Sequence, residues 1–311
     1  MIDSAVSPQF TAPAPPADRP IPSAEAVTFM RALLARRRDP HERNPDHLAE
    51  TFLSWRWKAL LVAGRRLRAV VERRAPGCYA YHLARTRHID RLLTVAVATG
   101  AMQVVILGAG NDSRAYRFRR ELAGARVFEL DLPGTQARKK ERLAASLGSL
   151  PDNVTYLPVD FNRQPLGEVL AAGGYDPRRQ TFFNWEGVSF FLHQPAVVDL
   201  LRNVARGSAP GSSIVFDYAL RSFVGGDRGF YGGEELARWL ARHGEPHHFG
   251  IDPAEAGAFL RGQGLELVSD LGPEDLEKTY LERQDGTRVG RVYGMFRLAH
   301  AKVPDPAGAA R

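Results

Sequence analysis

The chain of 311 residues has a single cysteine, Cys78. That excludes an internal disulfide and fits a reducing compartment. No apolar run approaches the roughly 18 residues that a membrane-spanning helix needs, and the N-terminus shows no basic segment followed by an apolar one. The chain is therefore expected to be soluble and cytoplasmic, with no membrane partner. His-Glu-x-x-His and Cys-x-x-Cys are absent, so nothing in the sequence argues for a zinc site. Gly-x-Ser-x-Gly, which would mark a hydrolase elbow, is absent as well. The net charge of +7 is unevenly placed. Residues 31–74 hold 12 Lys and Arg against 5 Asp and Glu, and the rest of the chain is balanced at 30 against 30. Without a basic surplus outside that segment, nucleic acid is disfavoured as a partner. The arginines of 31–74 read as a solvated helical face or as an attractor for an acidic substrate or RNA.

What is present begins with residues 103–118, where Val104 to Leu107 run into Gly108-Ala109-Gly110 and a polar turn. A short unbroken apolar run ending in glycines reads as a buried strand entering a tight turn. Gly108 and Gly110 let the backbone approach a ligand. A second run, Val127-Phe128, leads to Glu129-Leu130-Asp131, and an acid at a second strand tip is placed to hold the hydroxyls of a ribose. A dinucleotide fingerprint would put glycine at position 113, but the residue is Ser113. Asp112 and Asp131 would repel a phosphate. S-adenosylmethionine has a ribose, no phosphate and two cationic groups, so acidic neighbours favour it.

Further along, strands are expected at 103–107, 126–130, 154–159, 181–185 and 212–217, with helices at 78–99, 113–121, 135–147 and 194–206. This alternation argues a parallel doubly wound sheet. A helix near 253–262 precedes strand-like stretches at 265–269 and 292–298, which suit an antiparallel pair. The expected class is α/β, a Rossmann-like doubly wound seven-stranded sheet with one antiparallel edge strand, plus an N-terminal helical cap. Its expected division is a disordered proline-rich leader at 1–22, the helical cap at 23–77, the main domain at 78–300 and a flexible tail at 301–311. Within the cap, a helix is expected over 23–38. Asn44-Pro45 reads as the start of a second helix, with Leu48, Phe52, Trp55, Ala59 and Val62 on one face. Trp55 and Trp57 are both expected to pack inward.

Four ordered segments resemble the leucine carboxyl methyltransferase family: Val105-Ile106-Leu107-Gly108-Ala109-Gly110-Asn111-Asp112-Ser113-Arg114; Phe128-Glu129-Leu130-Asp131-Leu132-Pro133; Pro158-Val159-Asp160-Phe161; and Asn184-Trp185-Glu186-Gly187. Residues 244–251, Gly-Glu-Pro-His-His-Phe-Gly-Ile, are similar to its bacterial branch. The likeness covers about residues 79–300. It departs at Asn111, where a hydrophobic residue is common, and the first seventy-odd residues do not align. The resemblance implies an S-adenosylmethionine-dependent methyltransferase. In it Asp131 would take the ribose hydroxyls, Asp160 and the Phe161 amide would meet the adenine edge, and Glu186 would contact the cofactor. Arg85 would meet the methionine carboxylate, with Arg87 as a competing choice. Asn- or Asp-Pro-Pro-aromatic, the acceptor clamp of amino-methylating nucleic-acid enzymes, does not follow the fourth strand.

For the acceptor, a carboxylate with pKa about 4 is already ionised at neutral pH and needs only positioning, whereas a phenol near 10 wants a base. The weak candidate base is His193, before Gln194-Pro195, where starting a helix is an equal use for it. His247-His248 would face apart and make a poor chelate. The expected acceptor is a small carboxylic acid such as a polyketide acid. A phenol or alcohol O-methyltransferase, an RNA-associated methyltransferase and a non-catalytic cofactor-binding subunit are the alternatives, with an NAD-dependent oxidoreductase further behind.

Overall fold

Eight strands form one sheet in the computed structural model, which describes residues 22–62, 64–161 and 163–305. They are β1 (Gln103–Leu107), β2 (Arg126–Asp131), β3 (Val154–Pro158), β4 (Thr181–Trp185), β5 (Ser213–Leu220), β6 (Gly250–Ile251), β7 (Glu266–Leu271) and β8 (Phe296–Lys302). Seven run in the order β3-β2-β1-β4-β5-β8-β7, and the two-residue β6 pairs with the end of β5. The strands from β3 to β5 pair in parallel. β8 is antiparallel to both β5 and β7, so it lies just inside the outermost strand of the edge it forms with β7.

Both faces of the sheet are covered, which is why its central strands read as continuous apolar runs. Alternate residues serve opposite faces. Val104, Ile106, Val127 and Phe182 join one core cluster, whereas Val105, Leu107, Phe128, Leu130, Phe183 and Trp185 join the other. The buried polar residues Glu129 and Asn184 fall on the first face. The helices are α1 (Pro22–Ala35), α2 (Trp55–Leu61), α3 (Gly64–Arg74), α4 (Cys78–Ala98), α5 (Arg114–Arg117) and α6 (Pro133–Leu147), then α7 (Leu166–Ala172), α8 (Gln194–Arg206), α9 (Arg221–Val224), α10 (Gly233–His243), α11 (Ala256–Arg261) and α12 (Pro273–Tyr280). Phe29, Met30, Leu33 and Leu34 of α1 are buried in the first cluster together with residues of α4 and β1. Among the described residues no helix is long and apolar enough to cross a membrane.

The expected leader, apart from Pro22, lies outside the described residues. The N-terminal segment departs most from expectation. Asn44-Pro45 starts no α-helix. Asn44 is buried, its Oδ1 accepting from the Asp46 amide (2.9 Å) and its Nδ2 donating to Thr86 Oγ1 (3.2 Å). The chain then makes a short 3₁₀ turn at Ala49–Phe52 and breaks before α2. The supposed stripe is thereby split. Phe52 is buried, but Trp55 is 75% and Val62 82% exposed. Trp57 does pack inward, with its ring 4.9 Å from Phe29 and its Nε1 donating to Glu25 (3.2 Å). The expected helix at 113–121 is only the single turn of α5, because Arg114, Ala115 and Tyr116 are all drawn into the interior. α12 was hidden in a charged stretch. It starts with Pro273, and Asp275 accepts from the Gly272 amide (2.9 Å). β8 begins four residues later than expected, and its last residues lie inside the expected flexible tail.

Gly77, ahead of α4, has φ of +88°. A Cβ there would lie 2.7 Å from the Tyr293 amide nitrogen and 2.9 Å from the Val292 carbonyl carbon. Backbone is thus packed directly on backbone, fixing α4 to the stretch before β8. Gly77→Ala is expected to destabilise the chain by at least about 1–3 kcal/mol, the usual range for an unfavourable backbone conformation. Chemical denaturation measures this, and an unchanged midpoint would refute the packing argument.

Candidate active site

After Leu107 the chain turns through Gly108 and Gly110. The Ala109 amide donates to the Leu130 carbonyl (2.8 Å). The Gly110 amide donates to Asp131 Oδ2 (2.5 Å) and the Leu132 amide to Oδ1 (2.6 Å). The strand-two acid is thus tied to the glycine turn, and each carboxylate oxygen keeps a lone pair for another donor. Burial raises the Asp131 pKa, against the pull of those two amides. Gly108 has φ of +67°, and a Cβ on it would lie 2.6 Å from Val188 Cγ2, so the loop after β4 leaves no room for a side chain.

Around this turn runs a chain of buried ion pairs. Arg114 is 1% exposed. It meets Asp90 (2.8 Å), Asp112 (2.5 Å) and Glu186 (2.6 Å). Arg85 meets Glu186 (2.9 Å) and Asp217 (2.5 Å). Arg117 binds both oxygens of Asp90 (2.8 and 2.9 Å), and Arg31 of α1 binds Asp46 (3.1 Å). Ser113 Oγ donates to Asp46 (2.5 Å) and receives from Arg117 Nε (2.8 Å), joining the two ends. Tyr81 donates to Asp217 (3.0 Å), Asn184 to Asp112 (2.9 Å) and the Gly187 amide to Asp217 (2.6 Å). Four guanidinium groups thus face the five carboxylates of Asp46, Asp90, Asp112, Glu186 and Asp217, an excess of one negative charge. Burial by itself would raise the carboxyl of Glu186, but Arg85 and Arg114 overcome it and hold the group well below the usual range. Asp112 is lowered in the same way, burial being outweighed by Arg114.

Arg31 also donates to the Asn111 carbonyl (3.0 Å), and Asn111 Nδ2 donates to Thr28 (2.9 Å). Asn111 thereby fastens α1 across the glycine turn, which gives its polar side chain a use. The two candidate arginines are placed differently. Arg85 points into the acids, whereas Arg87 donates to the carbonyls of Tyr280, Pro40 and Arg43 (2.7, 2.6 and 3.0 Å). Glu186 belongs to the network, and Asp131 stands on the turn beside it. Asp160 and Phe161 follow β3, whose Pro158 is in register with Asp131. The Asp160 carbonyl accepts from the Arg163 and Gln164 amides (2.9 and 3.0 Å).

His193 is exposed at the start of α8, its ring stacked on His248 (centroids 4.2 Å apart) and its carbonyl accepting from Ala196 (3.0 Å). The helix-starting use is the one seen. Asp112 is not the open charge that the sequence suggested, since Arg114 and Asn184 occupy it. Sequence reading did not find Asp46, Asp90, Arg31, Arg114 or Arg117. Buried Arg114 Nη2 and Asn184 Oδ1 have no hydrogen-bond partner among the described residues. An unmet donor and an unmet acceptor beside acids of net negative charge, under a glycine turn, suit a polar ligand bearing positive charge. The described residues hold no metal-binding cluster of His, Cys, Asp and Glu.

A family profile described as leucine carboxyl methyltransferase matches residues 24–205. YktD of Bacillus subtilis, named as an inferred S-adenosyl-L-methionine-dependent methyltransferase, is 30% identical over 202 residues, 65% of this chain and 66% of that one. A protein of Mycobacteroides abscessus with the same kind of name is 34% identical over 194 residues, 59% of this chain and 61% of its own. The chain thus spans slightly less than two thirds of these two relatives. A Frankia alni relative, similarly named, is 33% identical over 220 residues, 70% and 76% of the two chains. Among solved structures, a DUF574-family protein from Streptomyces avermitilis matches with TM-score 0.58 at 16% identity, over 90% of this chain and 97% of that one. An inferred methyltransferase from Thermobifida fusca matches with TM-score 0.58 at 15% identity, over 91% and 98%. At such identities these two likenesses establish the fold.

Removing Arg114 would leave three buried carboxylates short of a partner. Arg114→Met is expected to lose about 3–5 kcal/mol of stability at pH 7. In the parent, stability should hold from neutral pH to about 5. It should then fall as unfolded carboxylates near 3.9–4.3 take up protons that Glu186 and Asp112 refuse in the folded chain. In the variant this acid-induced loss should shrink or reverse. Urea midpoints between pH 3.5 and 7 measure both effects, and parallel pH curves for parent and variant would contradict the pairing.

Proposed function

Because the chain belongs to the leucine carboxyl methyltransferase family, we propose that it is an S-adenosylmethionine-dependent O-methyltransferase whose acceptor is the carboxylate of a small organic acid. The observation that carries the carboxylate reading is the state of the acids around the glycine turn. Glu186 and Asp217 are spent on Arg85, and Asp112 and Asp90 on Arg114. A carboxylate held ionised by a guanidinium is a poor base, and His193 stacks on another imidazole with no acid among the described residues to orient it. An acceptor that arrives ionised needs no proton removed.

The bound cofactor supplies an electrophilic methyl group on a sulfonium. The chain's residues supply the binding. Asp131 takes the ribose hydroxyls with its free lone pairs, and Gly108 and Gly110 let the backbone close on the ligand. Asp160 and the Phe161 amide meet the adenine edge. Arg85, already aligned by Glu186 and Asp217, offers its charge to the amino-acid carboxylate, and the network's negative excess balances the cationic end. The helices of residues 23–77 serve as a cap, with α1 held across the turn through Asn111. Positioning and exclusion of water then carry the rate, an effect worth up to roughly 7–11 kcal/mol in ideal cases.

Asp131→Ala is expected to weaken S-adenosylmethionine binding tenfold or more while the fold survives, as befits loss of a charged hydrogen-bond acceptor. Calorimetry decides, and binding within about twofold of the parent removes Asp131 from the site. For the acceptor, the methylated product should hydrolyse in mild alkali, and turnover should persist at pH 6, where a carboxylate is still ionised. An alkali-stable product, with a rate lost in His193→Ala, would point instead to a phenol or alcohol.

A further inference from the structure

The α2–α3 segment exposes side chains of the kind that the rest of the chain buries. Eight large apolar side chains are exposed among the described residues, and four of them, Trp55, Leu60, Val62 and Val70, fall in this one segment. The other four, Val95, Met102, Leu147 and Val268, are scattered along the chain. Single exposed apolar groups are ordinary on a protein surface, whereas a concentration of them marks a contact.

Helix geometry makes the exposure ordered. In α2, Trp57 packs on Phe29 and Leu61 is buried, which fixes the inward side. Trp55, Ala59 and Val62 recur at four and three, so they share the opposite side as one outward stripe. Val62 keeps helical backbone angles at the end of α2, with φ of −64° and ψ of −30°. Arg56 and Lys58 are exposed and flank the stripe, one on each side. The Arg56 guanidinium lies over the Trp55 ring, 5.5 Å from its centroid. In α3, Leu67 and Val71 pack on the first core cluster while Val70, Arg73 and Arg74 are exposed. From Trp55 to Arg74 the sequence holds seven Lys and Arg against one acid, Glu72. That acid turns to the Gly77 amide (3.1 Å) and the Tyr231 hydroxyl (3.2 Å).

We propose that this face docks on an anionic lipid surface, with α2 lying along it, Trp55 and Val62 entering the headgroup boundary and the cations meeting lipid phosphates. The occupant follows from charge and chemistry together. A second copy of the chain would bring the same cations against these, and the two faces would repel. Nucleic acid would satisfy the arginines, but Leu60, Val62 and Val70 gain nothing from phosphates, and Trp55 alone of the four can stack on a base. A bilayer takes both kinds of group. Its apolar edge receives the stripe, tryptophan settles at the boundary, and lysine and arginine stems lie along the apolar layer with their heads on phosphate. Outside residues 31–74 the chain is balanced in charge, so attraction to an anionic surface is directed to this end. Docking of this kind needs no spanning helix, and the described residues contain none.

The test is flotation of the full chain with vesicles of phosphatidylcholine alone, or of phosphatidylcholine and phosphatidylglycerol in equal parts. The parent should bind the anionic vesicles at least about tenfold more tightly than the neutral ones, and high salt should release it. Its tryptophan emission should shift to the blue on binding, a shift that Trp55→Ser should abolish. The double variants Trp55→Ser with Val62→Ser, and Arg56→Glu with Lys58→Glu, should each weaken binding about tenfold. Both should melt as the parent does, since none of these side chains is buried. Equal binding to neutral and anionic vesicles, binding that ignores either double variant, or no binding at all overturns the proposal. Single-stranded RNA that binds where vesicles do not, and is lost with Arg56 and Lys58, overturns it in favour of a nucleic-acid surface.

Discussion

Four guanidinium groups and five carboxylates leave water when this chain folds, and the desolvation cost is several kcal/mol for each ion. Only close geometry offsets such a cost, and the geometry here is close: most of the pairs lie between 2.5 and 3.1 Å. The network ties α1, α4, the turn after β1, the loop after β4 and β5 into one piece. An apolar packing of similar volume could be as stable. What apolar packing would lack is a fixed array of charge with a net sign at the C-terminal side of a parallel sheet.

That array separates binding from chemistry. Arginine holds Glu186 and Asp112 ionised far below neutrality. These groups are thereby favoured in their charged form, which suits a steady electrostatic site and makes them poor proton carriers. Asp131 differs. Its oxygens meet two backbone amides and, among the described residues, no guanidinium at ion-pair distance, and burial raises its pKa. One carboxylate at the turn is thus left to hydrogen-bond a neutral partner, while the rest are committed to the frame.

Much of the sheet was legible because a strand buried on both faces has to be apolar throughout. Val104–Leu107 and Thr181–Trp185 announce themselves in that way, and Gly108 and Asp131 fall where their strands end. The N-terminal helices were less legible. Leu48, Phe52, Trp55, Ala59 and Val62 keep helical spacing, yet the backbone breaks at Leu53-Ser54 and turns Trp55 outward, a choice made by packing on α1 and not by local periodicity. The network itself has no local signature. Arg114 meets Glu186 across 72 residues, and Arg85 meets Asp217 across 132. In sequence Arg114 and Arg117 fall in an expected helix at 113–121, and only the fold shows that both side chains are buried.

On the proposed function, the same separation bears on how methyl transfer would be divided among the residues. A site whose acids, apart from Asp131, are held by arginine has little capacity to accept a proton. It has, by contrast, groups that are themselves fixed in position: Asp131 on the turn and Arg85 locked from two sides. Rate in such a site comes from holding two reactants in line and dry. That places the greatest demand on an acceptor that brings its own charge. On the proposed function, the excess of negative charge favours the cationic cofactor end and disfavours an anionic acceptor nearby, so a carboxylate acceptor would need a donor outside the network.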